Sequence, residues 1–174
     1  MQPLIIDASA LFNFGHRGEL QDLLKQLQKC YRLVTTPDVR DELVLDPDQR
    51  AYYEKLIKDH LHLQAHKAVK LPLDNLARLT SILGKGELSM ILLGLDLGRD
   101  CKLAIDERTA RREASALGLT VTGTVGLLKD ALDRGWRTDA ECMMSVKLMV
   151  ERGFWLRSPG TGESFQDFFR ALGS

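Results

Sequence analysis

The chain has little that would serve a redox centre, a membrane or a long-range electrostatic field. Its three cysteines, Cys30, Cys101 and Cys142, are far apart, odd in number and form no C-x-x-C pair. That excludes a disulfide framework and reads as reduced, mostly buried thiols. Lys and Arg, 24 together, are balanced by 24 Asp and Glu, so no global basic field gathers nucleic acid or anionic lipid. Any polyanion has to be held by a local patch or through metal ions. No apolar stretch reaches membrane-spanning length; the best, residues 90–95, is short and contains Gly94. The opening Met-Gln-Pro runs into an apolar segment without a basic region or signal core, so a cytoplasmic protein with no membrane partner is expected. There is no internal repeat, low-complexity tract or interdomain linker, and 174 residues suit a single domain over 1–174.

What is present is an alternation of apolar runs and helical periodicity. Leu4-Ile5-Ile6 suits a strand buried on both faces. A loop is expected through Asn13, Gly15 and Gly18, then a helix over 19–29 with Leu20, Leu23, Leu24 and Leu27 on one stripe. Residues 31–35 read as the second strand, and Thr36 as the cap of a helix with Pro37 at its first position. Asp46-Pro47 ends that helix, 48–58 suits another, and 60–71 an exposed strand or extended connection. Helices over 73–83 and 86–97 are separated at Gly84-Lys85-Gly86, with Leu88, Ile91, Leu92 and Leu95 as the second one's buried stripe. A strand over 101–105 precedes a helix over 107–117 closed by Gly118. A short strand over 119–122 leads to a helix over 124–134 that packs through Val125, Leu128, Ala131 and Leu132. Thr138 and Glu141 form a capping box for the next helix. Residues 154–157 are expected as a last strand, and 164–172 as an amphipathic C-terminal helix carrying Phe165, Phe168 and Phe169. Strands alternating with helices imply a three-layer α/β/α fold with a mainly parallel central sheet.

Four acids stand at informative places in that pattern. Asp7 closes Leu4-Ile5-Ile6, Glu42 lies in the helix after the second strand, Glu87 follows Gly84-Lys85-Gly86, and Asp106 closes Lys102-Leu103-Ala104-Ile105. Each alone is explained by a cap or a solvated face. Together they are not, because Asp7 and Asp106 would emerge at one sheet edge, where open α/β folds place ligands. Carboxylates gathered there repel unless a cation offsets them. An all-oxygen donor set favours Mg²⁺ or Mn²⁺, and such ions serve phosphodiester hydrolysis.

The order Ile-Ile-Asp-Ala-Ser-Ala-Leu, Pro-Asp-Val-Arg-Asp-Glu, Gly-Glu-Leu-Ser and Ala-Ile-Asp-Glu-Arg-Thr-Ala-Arg resembles the PIN-domain family. So does Gly-Leu-Thr-Val-Thr-Gly-Thr-Val-Gly-Leu-Leu, which is similar to that family's last strand and helix. The likeness is greatest to the VapC-like branch, commonly toxin ribonucleases paired with an antitoxin. The resemblance implies a metal-dependent endoribonuclease in which Asp7, Glu42, Glu87 and Asp106 are metal ligands and catalytic residues. Ser9 would support Asp7, and Thr124 would be a supporting or substrate-facing hydroxyl. Glu107 stands where related chains often carry another Asp. The segment 46–71 departs from the most compact members and is expected to be a partner-specific insertion. RNA, a cognate antitoxin and a second copy of the chain are the partners implied.

Arg108, Arg111 and Arg112 share one helical face just beyond Asp106 and are candidates for RNA phosphates; the plainer reading is a solvated face with a Glu107–Arg111 pair. His60, His62 and His66 lack the second ligand cluster of a zinc site. Gly84-Lys85-Gly86-Glu87 lacks the phosphate-loop order. An aspartyl-phosphate phosphatase would need an acid two residues after Asp7, where Ser9 stands. The remaining alternative is a non-catalytic RNA- or protein-binding module of the same fold.

Overall fold

A computed structural model describes residues 1–15, 21–43, 47–98 and 100–172. Five strands, β1 (Gln2–Ile6), β2 (Tyr31–Thr35), β3 (His62–Leu63), β4 (Lys102–Ala104) and β5 (Thr120–Thr122), form one sheet. The order is β3-β2-β1-β4-β5, and every pairing is parallel. Helices flank the sheet, giving the three-layer α/β/α architecture expected from the sequence. The central position of β1 explains its unbroken apolar run: Leu4, Ile5 and Ile6 are wholly buried because a strand covered on both faces has no solvent side.

The chain divides into two compact units, Met1–Gly123 and Thr124–Ser174. The first holds the sheet with α1 (Ala8–Gly15), α2 (Gln21–Gln28), α3 (Pro37–Glu42), α4 (Pro47–His60), α5 (Leu73–Ile82), α6 (Lys85–Leu97) and α7 (Arg108–Ala116). From β1 the chain moves outward through β2 to β3, then resumes on the other side of β1 with β4 and β5. The strand order therefore reverses between β1 and β4, and the crevice beyond their carboxyl ends is where such sheets bind ligands. Ile6 pairs with Ala104, so Asp7 and Asp106 leave adjacent strands at the same edge.

The second unit packs α8 (Thr124–Asp133), α9 (Asp139–Glu151) and α10 (Phe165–Leu172) around Leu127, Leu128, Cys142, Val146, Met149, Phe165 and Phe168. The Thr138–Glu141 capping box opens α9 as expected. Asp139 in its first turn accepts the amides of Phe165 and Gln166 at 2.8 and 3.1 Å, satisfying donors that the start of α10 leaves open.

Several local expectations need correction. The loop expected through Asn13 and Gly15 is the helix α1; Gly18 lies outside the described residues. Leu11 N–H reaches the Asp7 carbonyl at 3.0 Å, and complete burial of Ala10 and Leu11 outweighs the weak helix preference of Asn and Gly. The buried face of α6 is wider than the stripe read for it. Residues 89–94 are all buried, whereas Leu88 and Leu95 are only half-buried, because α6 packs on β1, β4, α3, α5 and α7 at once. Residues 154–157 form no strand. Gly153 takes φ +86°, and Phe154 N–H bonds back to the Met149 carbonyl at 2.9 Å, so the segment's first residue closes α9 in a Schellman turn. Trp155 is then left 98% exposed. Of the segment 60–71, only His62–Leu63 is strand, and His60 belongs to α4, its ring against Gln28.

Candidate functional site

The cleft starts from Asp7, at the end of β1 and the head of α1. Its carbonyl is the first acceptor of that helix, which puts it in the N-cap position. Ser9 Oγ donates to Asp7 Oδ2 at 2.8 Å and lies 3.4 Å from Asp106 Oδ2. The first is a full hydrogen bond, the second beyond the usual hydroxyl range. Ser9 thus stands between the two aspartates with its proton given to Asp7.

Glu42 and Glu87 arrive from two other elements held together by a chain of hydroxyls. Val39 N–H donates to Thr36 Oγ1, which caps α3. Thr36 Oγ1 and Ser89 Oγ are 2.6 Å apart, and Ser89 Oγ donates to the Gly86 carbonyl at 2.8 Å. Ser89 has one proton and spends it on Gly86, so Thr36 must be the donor between them. This buried relay fixes α3 against α6. At its end Glu42 Oε1 accepts the Gly86 amide at 2.8 Å, and Glu87 Oε2 accepts the Gly84 amide at 2.9 Å. Two carboxylates therefore share the positive end of α6.

Asp7, Ser9, Glu42, Glu87 and Glu107 line one cleft with Ala8, Phe12 and Gly84. Asp106 is not among the lining residues; Ser9, 3.4 Å from its Oδ2, links it to the cleft. Burial, reinforced by the charges of Glu87 and Glu42, pushes Asp7 up from 3.8 to about 6, against the opposing pull of the Ser9 hydroxyl and Ala8 amide. Glu87 is also raised, first by burial and then by Glu107 and Glu42. Glu107 is different. Burial works to raise it, but the amides of Thr109, Ala110 and Arg108 and the Thr109 hydroxyl hold it below the ordinary value. Its carboxylate caps α7, accepting from Ala110 N–H at 2.6 Å.

The three arginines have separate surroundings. Arg108, Arg111 and Arg112 are all exposed on α7. Arg111 Nη1 and Asp106 Oδ1 crowd the same point beside Gly123. Arg112 instead bonds Glu113 at 3.1 Å, a buried acid that Arg78 also holds at 2.7 Å. Hydrogen bonding from Arg78 and then Arg112 keeps Glu113 below its ordinary range. Thr124 begins α8 in the second unit and is wholly buried. Sequence reasoning missed Phe12, Gly86 and Gly123. Phe12 would have been found had α1 been recognised, since it follows Ser9 by three residues on one helical face; Gly86 and Gly123 stand in the motifs quoted for the resemblance, but nothing in the sequence marks the carboxylates they face.

The donors suit a hard divalent cation in kind, being oxygens that accumulate unfavourable negative charge around Asp7. In position they are dispersed: among the described residues no three His, Cys, Asp or Glu side chains are grouped closely enough to hold one ion. A family model described as PIN domain matches residues 3–167. The chain belongs to the PIN-domain family, a nuclease-type fold whose members are generally hydrolases and typically use divalent metal ions. No curated protein matches the chain. Among the described residues no helix is long and apolar enough to cross a membrane.

Proposed function

We propose that the protein is a metal-dependent endoribonuclease of the VapC-like branch, hydrolysing RNA phosphodiester bonds as the toxin of a toxin–antitoxin pair. The observation that carries this reading is the shared cleft in which Asp7 is held near a pKa of 6 by burial beside Glu87 and Glu42. A buried acid whose ionised form is so disfavoured is poised for a cation. Asp7, Glu42, Glu87 and Asp106 would be the protein donors to Mg²⁺ or Mn²⁺, with water completing a shell that no three of them fill together, and Ser9 would orient Asp7. When bound, the ion supplies Lewis acidity for attack of water on the phosphodiester. Glu107 keeps its carboxylate on the α7 amides and so shapes the cleft's charge without being a principal ligand. Arg108 and Arg111 would meet the flanking phosphates at the positive end of α7. Cleavage of a labelled single-stranded RNA by purified protein, with Mg²⁺ or Mn²⁺ against chelator, tests the reading. We expect metal-dependent products that Asp7→Asn abolishes. Equal cleavage by that variant would remove Asp7 from catalysis.

The dispersal of the carboxylates favours one second reading, an RNA- or protein-binding module that does not cleave. The same assay decides: RNA retained uncut by the wild-type protein in Mn²⁺ selects this reading. Co-purification with the product of a neighbouring reading frame tests the antitoxin, and sedimentation tests a homodimer.

A further inference from the structure

Three glycines border the acidic groups, and two of them, Gly86 and Gly123, leave no room for a side chain. Gly86 and Gly123 lie outside the set with positive φ, so neither uses the left-handed freedom that favours glycine. Space is what they supply. A Cβ at Gly86 would stand 2.7 Å from both carboxylate oxygens of Glu42 and 2.8 Å from its Cδ. A Cβ at Gly123 would stand 2.7 Å from Asp106 Oδ1 and 3.2 Å from Arg111 Nη1. By contrast, a Cβ at Gly94 would meet only leucine methyls, the nearest at 3.0 Å, an ordinary matter of core packing.

We propose that Gly86 and Gly123 are positioning residues of the candidate site, each leaving free of side chain the volume that a carboxylate occupies, Glu42 in the cleft in one case and Asp106 beside Ser9 in the other. Gly86 acts twice, because its amide also donates to Glu42 at 2.8 Å. The missing side chain lets the acid come close enough for that amide to hold it. A methyl group at residue 86 would drive Glu42 off the amide and away from Asp7. The same group at 123 would displace Asp106 from the side of Ser9. Neither effect needs any change in the sheet. The role in metal binding rests on the function proposed above; the clash itself does not.

The test is a pair of double-mutant cycles on the full chain, read by Mn²⁺ calorimetry and by thermal melting in chelator. Gly86→Ala should weaken Mn²⁺ binding by roughly 10–100-fold, the range for residues that orient a ligand. In a Glu42→Ala background the same substitution should cause no further loss, and the melting temperature should hold or rise, since alanine suits a helix better than glycine. Gly123→Ala should lose Mn²⁺ binding in the same way, and no further with Asp106→Ala; its effect on melting rests on chain entropy alone, because residue 123 lies outside any helix. Equal losses with and without the acid would overturn the proposal. If Gly86→Ala fails to fold, a folded Gly86→Ala/Glu42→Ala variant supports it and an unfolded one overturns it. Absence of Mn²⁺ binding to the wild-type chain would instead sink the metal-site reading. The melting cycle would then decide for the glycines alone: relief of the clash in the acid-free background supports them, and no relief rejects them.

Discussion

Asp7 is only 6% exposed, and its charge costs the metal-free fold stability. Its folded pKa of about 6 lies above the 3.8 expected of an unfolded chain. Below pH 4 both states hold the proton. Between about 4 and 6 the folded state alone keeps it, so stability falls as pH rises through that window and levels off above it. The difference corresponds to about 3 kcal/mol at neutral pH. We therefore expect Asp7→Asn, in chelator at pH 7, to melt at a higher temperature than wild type, with the gap closing towards pH 4. Glu107 and Glu113, both held low, act in the opposite sense at acid pH, which is why the comparison must be with the variant. An asparagine variant that melts lower at pH 7 would show that Asp7 is comfortably ionised. Metal binding should strengthen over the same range, because the acid must first lose its proton.

At the scale of elements, the relay between α3 and α6 makes Glu42 and Glu87 a unit. Ser89→Ala removes the acceptor of the Thr36 hydroxyl and the donor to Gly86, all buried, and should cost about 1–3 kcal/mol in urea unfolding. A loss within error would mean that helix packing alone fixes the two elements. Much of this architecture was legible beforehand. Leu4-Ile5-Ile6, the Thr36-Pro37 start and the Thr138–Glu141 box announced their elements because each rests on local chemistry. Asp7 and Asp106 were readable as neighbours because strand ends are set by apolar runs. What was not legible depends on distant partners. Burial made α1 helical through Asn13, and a Schellman turn at Gly153 took Phe154 away from a strand. Arg112 matches Arg108 and Arg111 by helical spacing, and only the fold engages its guanidinium with the buried Glu113.

For the molecule as a whole, equal numbers of acids and bases would leave attraction of the proposed RNA substrate to local cations. We expect Arg108→Ala and Arg111→Ala each to flatten the salt dependence of single-strand binding by about 0.7 in log–log slope. Arg112→Ala should change it little, because that guanidinium already serves Glu113. Three equal decrements would return Arg112 to the RNA path, and none would place the path elsewhere, with the segment 46–71 the first alternative. Ligand linkage gives another measure: Mn²⁺ at 100 times its dissociation constant should stabilise the wild-type fold by about 2.7 kcal/mol, and Asp7→Asn far less. A small, equal shift in both would point to non-specific ion binding. The sheet's margins bear on a different matter, how this protein meets others. Its outer strands are only two residues, His62–Leu63, and three, Thr120–Thr122. Margins so short offer little backbone for another chain to extend, and short edge strands are one way proteins avoid aggregating sheet to sheet. A protein partner would accordingly be met through helices and loops rather than by adding a strand.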